Sequence, residues 1–307
     1  MLKRFADIHA QVQRGGRRTL AIPAGDDEGS IEAAVDALKK GLAGSILLGD
    51  AGKIREGLRK FGAKEADFEI VDQPDYGLCA ATAVRMVREK RADMILKGHL
   101  DTSLLLKAAL DKDAGLRTDR LLSDVFVFED PLWDDRGGKL TAITDGGITP
   151  APTLDQKRQI LENAVEVFHK LGYVKPKVAV MSGTEKVSDK IPSTTDAQAL
   201  QELNRKGGIK GCVVEGPMAL DVAALKACAE MKGIRSEIAG AVDIMVMPNF
   251  EAGNMVAKTF VFYMKRAIGH VIVGAKAPIL INSRSDDPAL KLNSIALSVF
   301  VSLPGPA

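Results

Sequence analysis

Ser283 and Arg284 follow the apolar run Ala277-Pro278-Ile279-Leu280-Ile281 and precede Asp286-Asp287-Pro288, which reads as a helix start. A hydroxyl and a guanidinium thus stand where a buried strand hands over to a helix. Helix N-termini present free N–H groups and a positive dipole end, which suit an anion. The arginine fork adds bidentate recognition of phosphate or carboxylate. Upstream, Pro248-Asn249-Phe250-Glu251-Ala252-Gly253-Asn254 opens another helix in the same way. A third stretch, Met94-Ile95-Leu96-Lys97-Gly98-His99-Leu100-Asp101-Thr102-Ser103 with Lys107 one turn on, runs from strand through glycine to a hydroxyl-rich helix start. Phosphate binding by Lys97, Thr102, Ser103 and Lys107 fits it, and so does plain capping with solvated lysines.

Further turns follow strands. In Thr144-Asp145-Gly146-Gly147-Ile148-Thr149-Pro150 the glycine pair admits close backbone approach to a ligand, although on spacing alone an ordinary turn is the favoured reading. Ser182-Gly183-Thr184 offers hydroxyls at a sheet edge, and Glu215-Gly216-Pro217 with Asp221 offers carboxylates. On their own these two read more readily as turns and caps.

The elements that position these groups alternate. Strands are expected at 18–23, 44–48, 68–71, 94–97, 123–128, 139–144, 178–181, 213–215, 244–248, 271–273 and 279–282, with helices at 30–42, 76–88, 103–111, 153–171, 197–206 and 254–266. Strands apolar on both faces, alternating with helices, imply an α/β protein with mostly parallel sheets. Ser30 before an acidic turn and Thr153 with Gln156 are helix-start signatures. The charged segment 130–138 reads as a hairpin connection. The expected division is 1–120 with 270–307 as one domain and 121–269 as the other. In open α/β sheets ligands lie beyond strand carboxyl ends, so the turns above are expected to line an interdomain cleft.

Composition narrows the function. The 307 residues carry 42 basic and 40 acidic side chains, and aromatics make up 5%, so neither nucleic acid nor an anionic membrane is an expected partner. The three cysteines, Cys79, Cys212 and Cys228, form no C-x-x-C pair and suit a reducing cytoplasm. No apolar run nears the ~20 residues of a membrane span. The four histidines are scattered, and neither a P-loop, a G-x-G-x-x-G fingerprint nor a G-x-S-x-G elbow is present. No metal site is expected.

From about residue 76 onward, the order of Lys97–Ser103, Thr144–Thr153, Glu185-Lys186-Val187, Glu215–Asp221, Glu251–Asn254 and Ser283-Arg284 resembles the phosphate acetyltransferase and phosphate butyryltransferase family. The segment 182–192 and the Glu-Ala-Gly-Asn form are similar to the butyryl branch. The resemblance implies a two-domain fold of the isocitrate/isopropylmalate dehydrogenase type. It implies the reaction acyl-CoA + phosphate ⇌ acyl phosphate + CoA, within the acyltransferases of class EC 2.3.1. Coenzyme A is then a substrate, no cofactor is tightly bound, and the protein is a cytoplasmic homo-oligomer.

The same resemblance implies roles. Ser283 is the catalytic serine and Arg284 binds the phosphate or CoA. The acetyl branch's base falls on Leu290 here, so Asp286 and Asp287 are the substitutes, with Asp286 assigned the role. Lys97, Thr102, Ser103 and Lys107 hold the anion. Lys107 stands where the acetyl branch has arginine. Asp145, Gly146, Ser182, Gly253 and Asn254 complete the substrate contacts. Gly146 stands where acetyl-specific relatives carry cysteine, which implies extra room for a longer acyl chain. Three other readings share this chemistry or fold: an acyl-carrier-protein:phosphate acyltransferase, a metal-dependent decarboxylating dehydrogenase, and a non-catalytic ligand binder.

Overall fold

The computed structural model describes residues 1–283 and 286–303. The chain forms two compact units, one holding Phe5–Arg120 and the chain from Gly269 onward, the other Met1–Arg4 and Leu121–Ile268. Met1–Arg4, expected with the first domain, pack in the second unit, where the Leu2 N–H donates to the Leu171 carbonyl at 2.8 Å.

In the first unit the strands are β1 (Arg18–Pro23), β2 (Ala43–Gly49), β3 (Glu69–Asp72) and β4 (Met94–Leu96). The helices are α1 (Phe5–Gly15), α2 (Glu28–Lys39), α3 (Ala51–Lys60), α4 (Tyr76–Arg88) and α5 (Thr102–Ala109). The second unit holds β5 (Ser123–Glu129), β6 (Leu140–Thr144), β7 (Lys177–Met181), β8 (Val213–Met218) and β9 (Ile244–Val246). Its helices are α6 (Leu154–Lys170), α7 (Pro192–Arg205), α8 (Leu220–Ala224), α9 (Lys226–Met231) and α10 (Phe250–Thr259), the last running into a π turn over Phe260–Met264. The chain then returns to the first unit with β10 (Ile268–Val273), β11 (Ile279–Leu280) and α11 (Pro288–Ser302).

Strand order in the first unit is β3-β2-β1-β4-β11-β10, parallel except for the β10–β11 pair. The second unit has the order β5-β6-β9-β7-β8, parallel except for the β5–β6 hairpin. β2 and β6 are buried at every position, as strands covered on both faces must be. Among the described residues no helix is long and apolar enough to cross a membrane.

Helix starts are set by short polar side chains. Asp50, Asp75, Asn249 and Asp287 each accept from a first-turn amide, and Thr153 with Gln156 forms the expected reciprocal capping box. α2 begins earlier than expected. Asp27 is its cap and accepts from the Ser30 amide at 3.2 Å, so Ser30 lies inside the first turn. The 130–138 connection is the expected hairpin link, tightened by a 3₁₀ turn over Pro131–Arg136.

Candidate active site

In the first unit, the strand order turns back between β1 and β4. Chain order runs outward from β1 to β3 on one side and restarts with β4 on the other. This is a topological switch point, where a crevice opens beyond the strand carboxyl ends. The register aligns Ala21, Ile95 and Ile279 across β1, β4 and β11. The residues just past those strands therefore lie along one edge, and a cavity opens there. Its walls include Asp27 and Gly29 from the α2 start, Lys97 and His99 after β4, Asn282 and Ser283 after β11, and Lys291 of α11.

The backbone is pressed together under this cavity. A Cβ on Gly98 would stand 2.2 Å from the Ala24 carbonyl oxygen, so only glycine fits. The Gly98 and His99 amides donate to the carbonyls of Pro23 and Ala24 at 3.1 and 2.8 Å. The Lys97 ammonium donates to the Gly98 and Leu100 carbonyls at 3.1 and 3.0 Å, which holds its charge over the loop. The Ser283 amide donates to Asp286 Oδ2 at 2.7 Å, and the Asp286 amide returns to the Ser283 carbonyl at 3.1 Å. The buried Asp286 is thus bonded to both backbone polar groups of Ser283. Arg284 lies outside the described residues.

Two buried acceptor atoms in this wall, Asp27 Oδ2 and Asn282 Oδ1, have no hydrogen-bond partner among the described residues. Buried polar atoms are almost always paired, so each such atom asks for a donor. Lys291 makes no ion pair among the described residues, and its ammonium lies 3.3 Å from where a Cβ on Gly29 would be. Glycine at that place lets the ammonium close on the α2 start. Asp27, His99, Asn282 and Lys291 were not singled out as site residues in the sequence. The strand–turn–helix signal that marked Lys97 is also present in Pro23-Ala24-Gly25-Asp26-Asp27, but the convergence with Lys291 is visible only in space.

The expected anion ligands divide. Lys97 and Ser283 line the cavity, and Asp286, expected as the base, is bonded to the Ser283 backbone. Thr102 and Ser103 begin α5, where Asp101 occupies the cap position with no side-chain bond, so that start is open. Neither hydroxyl lines the cavity. Lys107 does not join it either; it lines a separate, largely apolar groove between α4 and α5 with Leu104 and Val84.

The second unit gathers another set. After β6, Asp145 turns its carboxylate back on its own loop. Oδ1 accepts from Gly147 at 2.8 Å and Ile148 at 3.1 Å, and Oδ2 from Thr149 at 2.9 Å. The Asp124 amide adds a contact at 3.3 Å. Burial pushes the Asp145 carboxyl up to about 6, aided by the Asp124 charge and opposed by the loop amides. Gly146 meets the first turn of α10. A Cβ on it would stand 2.7 Å from the Gly253 carbonyl carbon, and one on Gly253 would stand 2.4 Å from the Asp145 carbonyl oxygen. Asn254 Nδ2 donates to the Gly146 carbonyl at 3.0 Å. The space that the absent side chain of Gly146 was expected to leave for an acyl chain is filled by α10 backbone. Ser182, at the end of β7, shares a 2.8 Å hydroxyl contact with Ser193. Glu215 accepts from Ser236 and Glu237, and Asp221 pairs with Lys232 at 2.8 Å, so both are structural.

Residues 78–299 match the model of the family described as phosphate acetyl/butaryl transferase. The chain belongs to that family. The phosphate butyryltransferase of Clostridium acetobutylicum is 39% identical over 302 residues, which cover 98% of this chain and 99% of that protein. A phosphate acetyltransferase from Rhizobium meliloti is 38% identical, with 89% and 85% covered. Among solved structures, a branched-chain phosphotransacylase from Enterococcus faecalis superposes with a TM-score of 0.82 at 28% identity, over 93% of this chain and 99% of that one. The chain is thus a phosphate acyltransferase, a transferase of class EC 2.3.1, and its fold is that of the phosphotransacylases, of the isocitrate/isopropylmalate dehydrogenase kind.

Proposed function

We propose that the protein moves a short acyl group, butyryl-like in size, between coenzyme A and inorganic phosphate, and that the first-unit cavity holds the phosphate. The observation that carries this reading is the meeting of Lys97, Ser283 and Lys291 at the switch point of a parallel sheet. Two cations and a hydroxyl there favour an anion, and a protonated phosphate oxygen can donate to the unpaired Asp27 Oδ2. Arg284 adjoins Ser283 in sequence and is assigned to the same anion. Ser283 donates to charge developing on the thioester oxygen or on the departing sulfur. Asp286, buried against the Ser283 amide, takes the CoA thiol proton in the reverse direction. Holding phosphate against the thioester supplies much of the acceleration, on the order of 7 kcal/mol in well-oriented cases. The thiolate leaves without a covalent acyl-enzyme.

In this reading Thr102, Ser103 and Lys107 lie outside the phosphate contact, and Asp145, Gly146, Gly253 and Asn254 shape a turn. Coenzyme A and phosphate are substrates, and no tightly bound cofactor takes part. Among the described residues no group of three or more His, Cys, Asp or Glu side chains could hold a metal. A cytoplasmic homo-oligomer belongs to the same reading. Cys79, Cys212 and Cys228 are free, and Met255, Phe262 and Tyr263 expose an apolar strip along α10 and its π turn.

The test is thiol release from C2 to C5 acyl-CoA with phosphate in the presence of a chelator. Phosphate-dependent release, best with C4 or branched chains, is expected. Release that needs added magnesium, or none without an acyl-carrier protein, contradicts the proposal.

A further inference from the structure

The second unit has a cavity at the opposite end of its strands from the turns just described. Lys139 immediately precedes β6, Lys177 opens β7 and Asp243 immediately precedes β9, and all three line it. Asp145 and Ser182 follow β6 and β7 at the far end. A five-residue strand spans roughly 17 Å, so the cavity is separate from those turns. Its volume is about 260 Å³, and Trp133, Tyr173 and Val174 are among the apolar residues that line it.

Apart from Met1 and Lys3, which also line it, its charged residues fall into two classes. Lys139 is buried and spends all its donors, on the carbonyls of Ala241 and Val242 at 2.9 and 2.7 Å and on Asp243 at 2.9 Å. Asp243 in turn accepts from the Lys177 amide at 2.7 Å. The one carboxylate in the wall is therefore already neutralised and bonded. Burial lowers the Lys139 pKa, with Asp243 opposing that shift; with its donors already used, the pair belongs to the wall. Arg136, Lys175 and Lys177 are different. None makes an ion pair among the described residues, and each lines the cavity. The Trp133 face already draws cations, with Arg136 at 5.4 Å and Lys139 at 4.8 Å from its ring centre.

Three uncompensated cations around an aromatic wall suit a ligand that is flat and apolar at one end and multiply anionic at the other. We infer that this cavity binds a purine nucleotide, with its base against Trp133 and Tyr173 and its phosphates on Arg136, Lys175 and Lys177. It is a second ligand site, distinct from the acyl-transfer residues. Coenzyme A carries an adenosine diphosphate part, so it is a competing ligand of the same chemistry.

Trp133 is the only tryptophan in the chain, so its emission reports this cavity alone. The full-length protein is titrated with ADP, CoA, adenosine and pyrophosphate while Trp133 emission is followed. A saturable change with ADP is expected, with adenosine and pyrophosphate each at least tenfold weaker. The double variant Lys175→Ala with Lys177→Ala should bind ADP at least tenfold more weakly, about 1.4 kcal/mol. Its melting temperature and phosphate-dependent acyl transfer should match the parent. A flat titration to millimolar ADP, wild-type affinity in the double variant, or pyrophosphate binding as tightly as ADP would each overturn the assignment. An emission change with CoA alone, and none with ADP, would overturn it as well.

Discussion

The two polar clusters of this protein use similar residues in opposite ways. In the second unit the Asp145 carboxylate accepts from four backbone amides, and Asn254 closes on the Gly146 carbonyl. These groups are spent on the fold. In the first unit Asp27 and Asn282 keep buried acceptor atoms without a partner among the described residues, and Lys291 has no ion pair there. Satisfied polar groups specify a shape, whereas unsatisfied ones are costly unless a ligand completes them. The first-unit cavity thus keeps groups that a ligand can meet, whereas the Asp145 turn uses its own within its loop and α10.

Substitutions at the two clusters should therefore separate. The largest effect is expected at Arg284 and Ser283. Arg284→Ala should lower kcat/KM by about 2–5 kcal/mol if its anion contact is desolvated. Ser283→Ala should lower kcat roughly a hundredfold while leaving the phosphate KM nearly unchanged. Steady-state kinetics at saturating acyl-CoA reads both, and an Arg284→Ala enzyme with parental kinetics removes that residue from the site.

Gly146→Cys should act on the fold. Its Cβ has no room against Gly253, so strain of about 1–3 kcal/mol is expected. The melting temperature should fall, and kcat/KM for C2 to C5 thioesters should drop by a common factor. A loss that grows with acyl length would instead restore the acyl-pocket role of Gly146.

The smallest effect concerns pH. The folded Asp145 carboxyl is raised to about 6 from an ordinary value of 3.8, so the folded state holds its proton more tightly. The stabilisation is fully present below pH 3.8 and is lost as pH rises through about 6. Its size is on the order of 2–3 kcal/mol. Asp145→Asn should remove that part of the slope in melting temperature between pH 4 and 7, while lowering stability overall, because its amide nitrogen cannot accept from the loop. An unchanged slope would show that Asp145 titrates normally.

Local pattern made much of this fold legible. α4 spans the expected 76–88, the Thr153–Gln156 box forms, and the strand positions agree closely, since each depends on neighbours a few residues away. What depended on distant partners was not legible. Gly146 looked like open space because its obstacle, Gly253, lies far along the chain. Lys107 looked equivalent to Lys97, but α5 turns it toward α4. Lys291 carried no motif at all; only the return of the chain through β11 brings it to the start of α2. The order of the motifs nevertheless identified the family, because motif order survives where single turns mislead.

The most direct measurement compares the phosphate affinity of Lys291→Ala and Gly146→Cys by titration calorimetry against the parent protein. Lys291→Ala should weaken phosphate binding by about 1.5–3 kcal/mol, the cost of a charged hydrogen bond, at an unchanged melting temperature. Gly146→Cys should keep parental phosphate affinity at a lowered melting temperature. If Lys291→Ala binds phosphate as the parent does while Gly146→Cys loses it, the anion site lies at the Asp145 turn and the assignment of the two clusters is reversed.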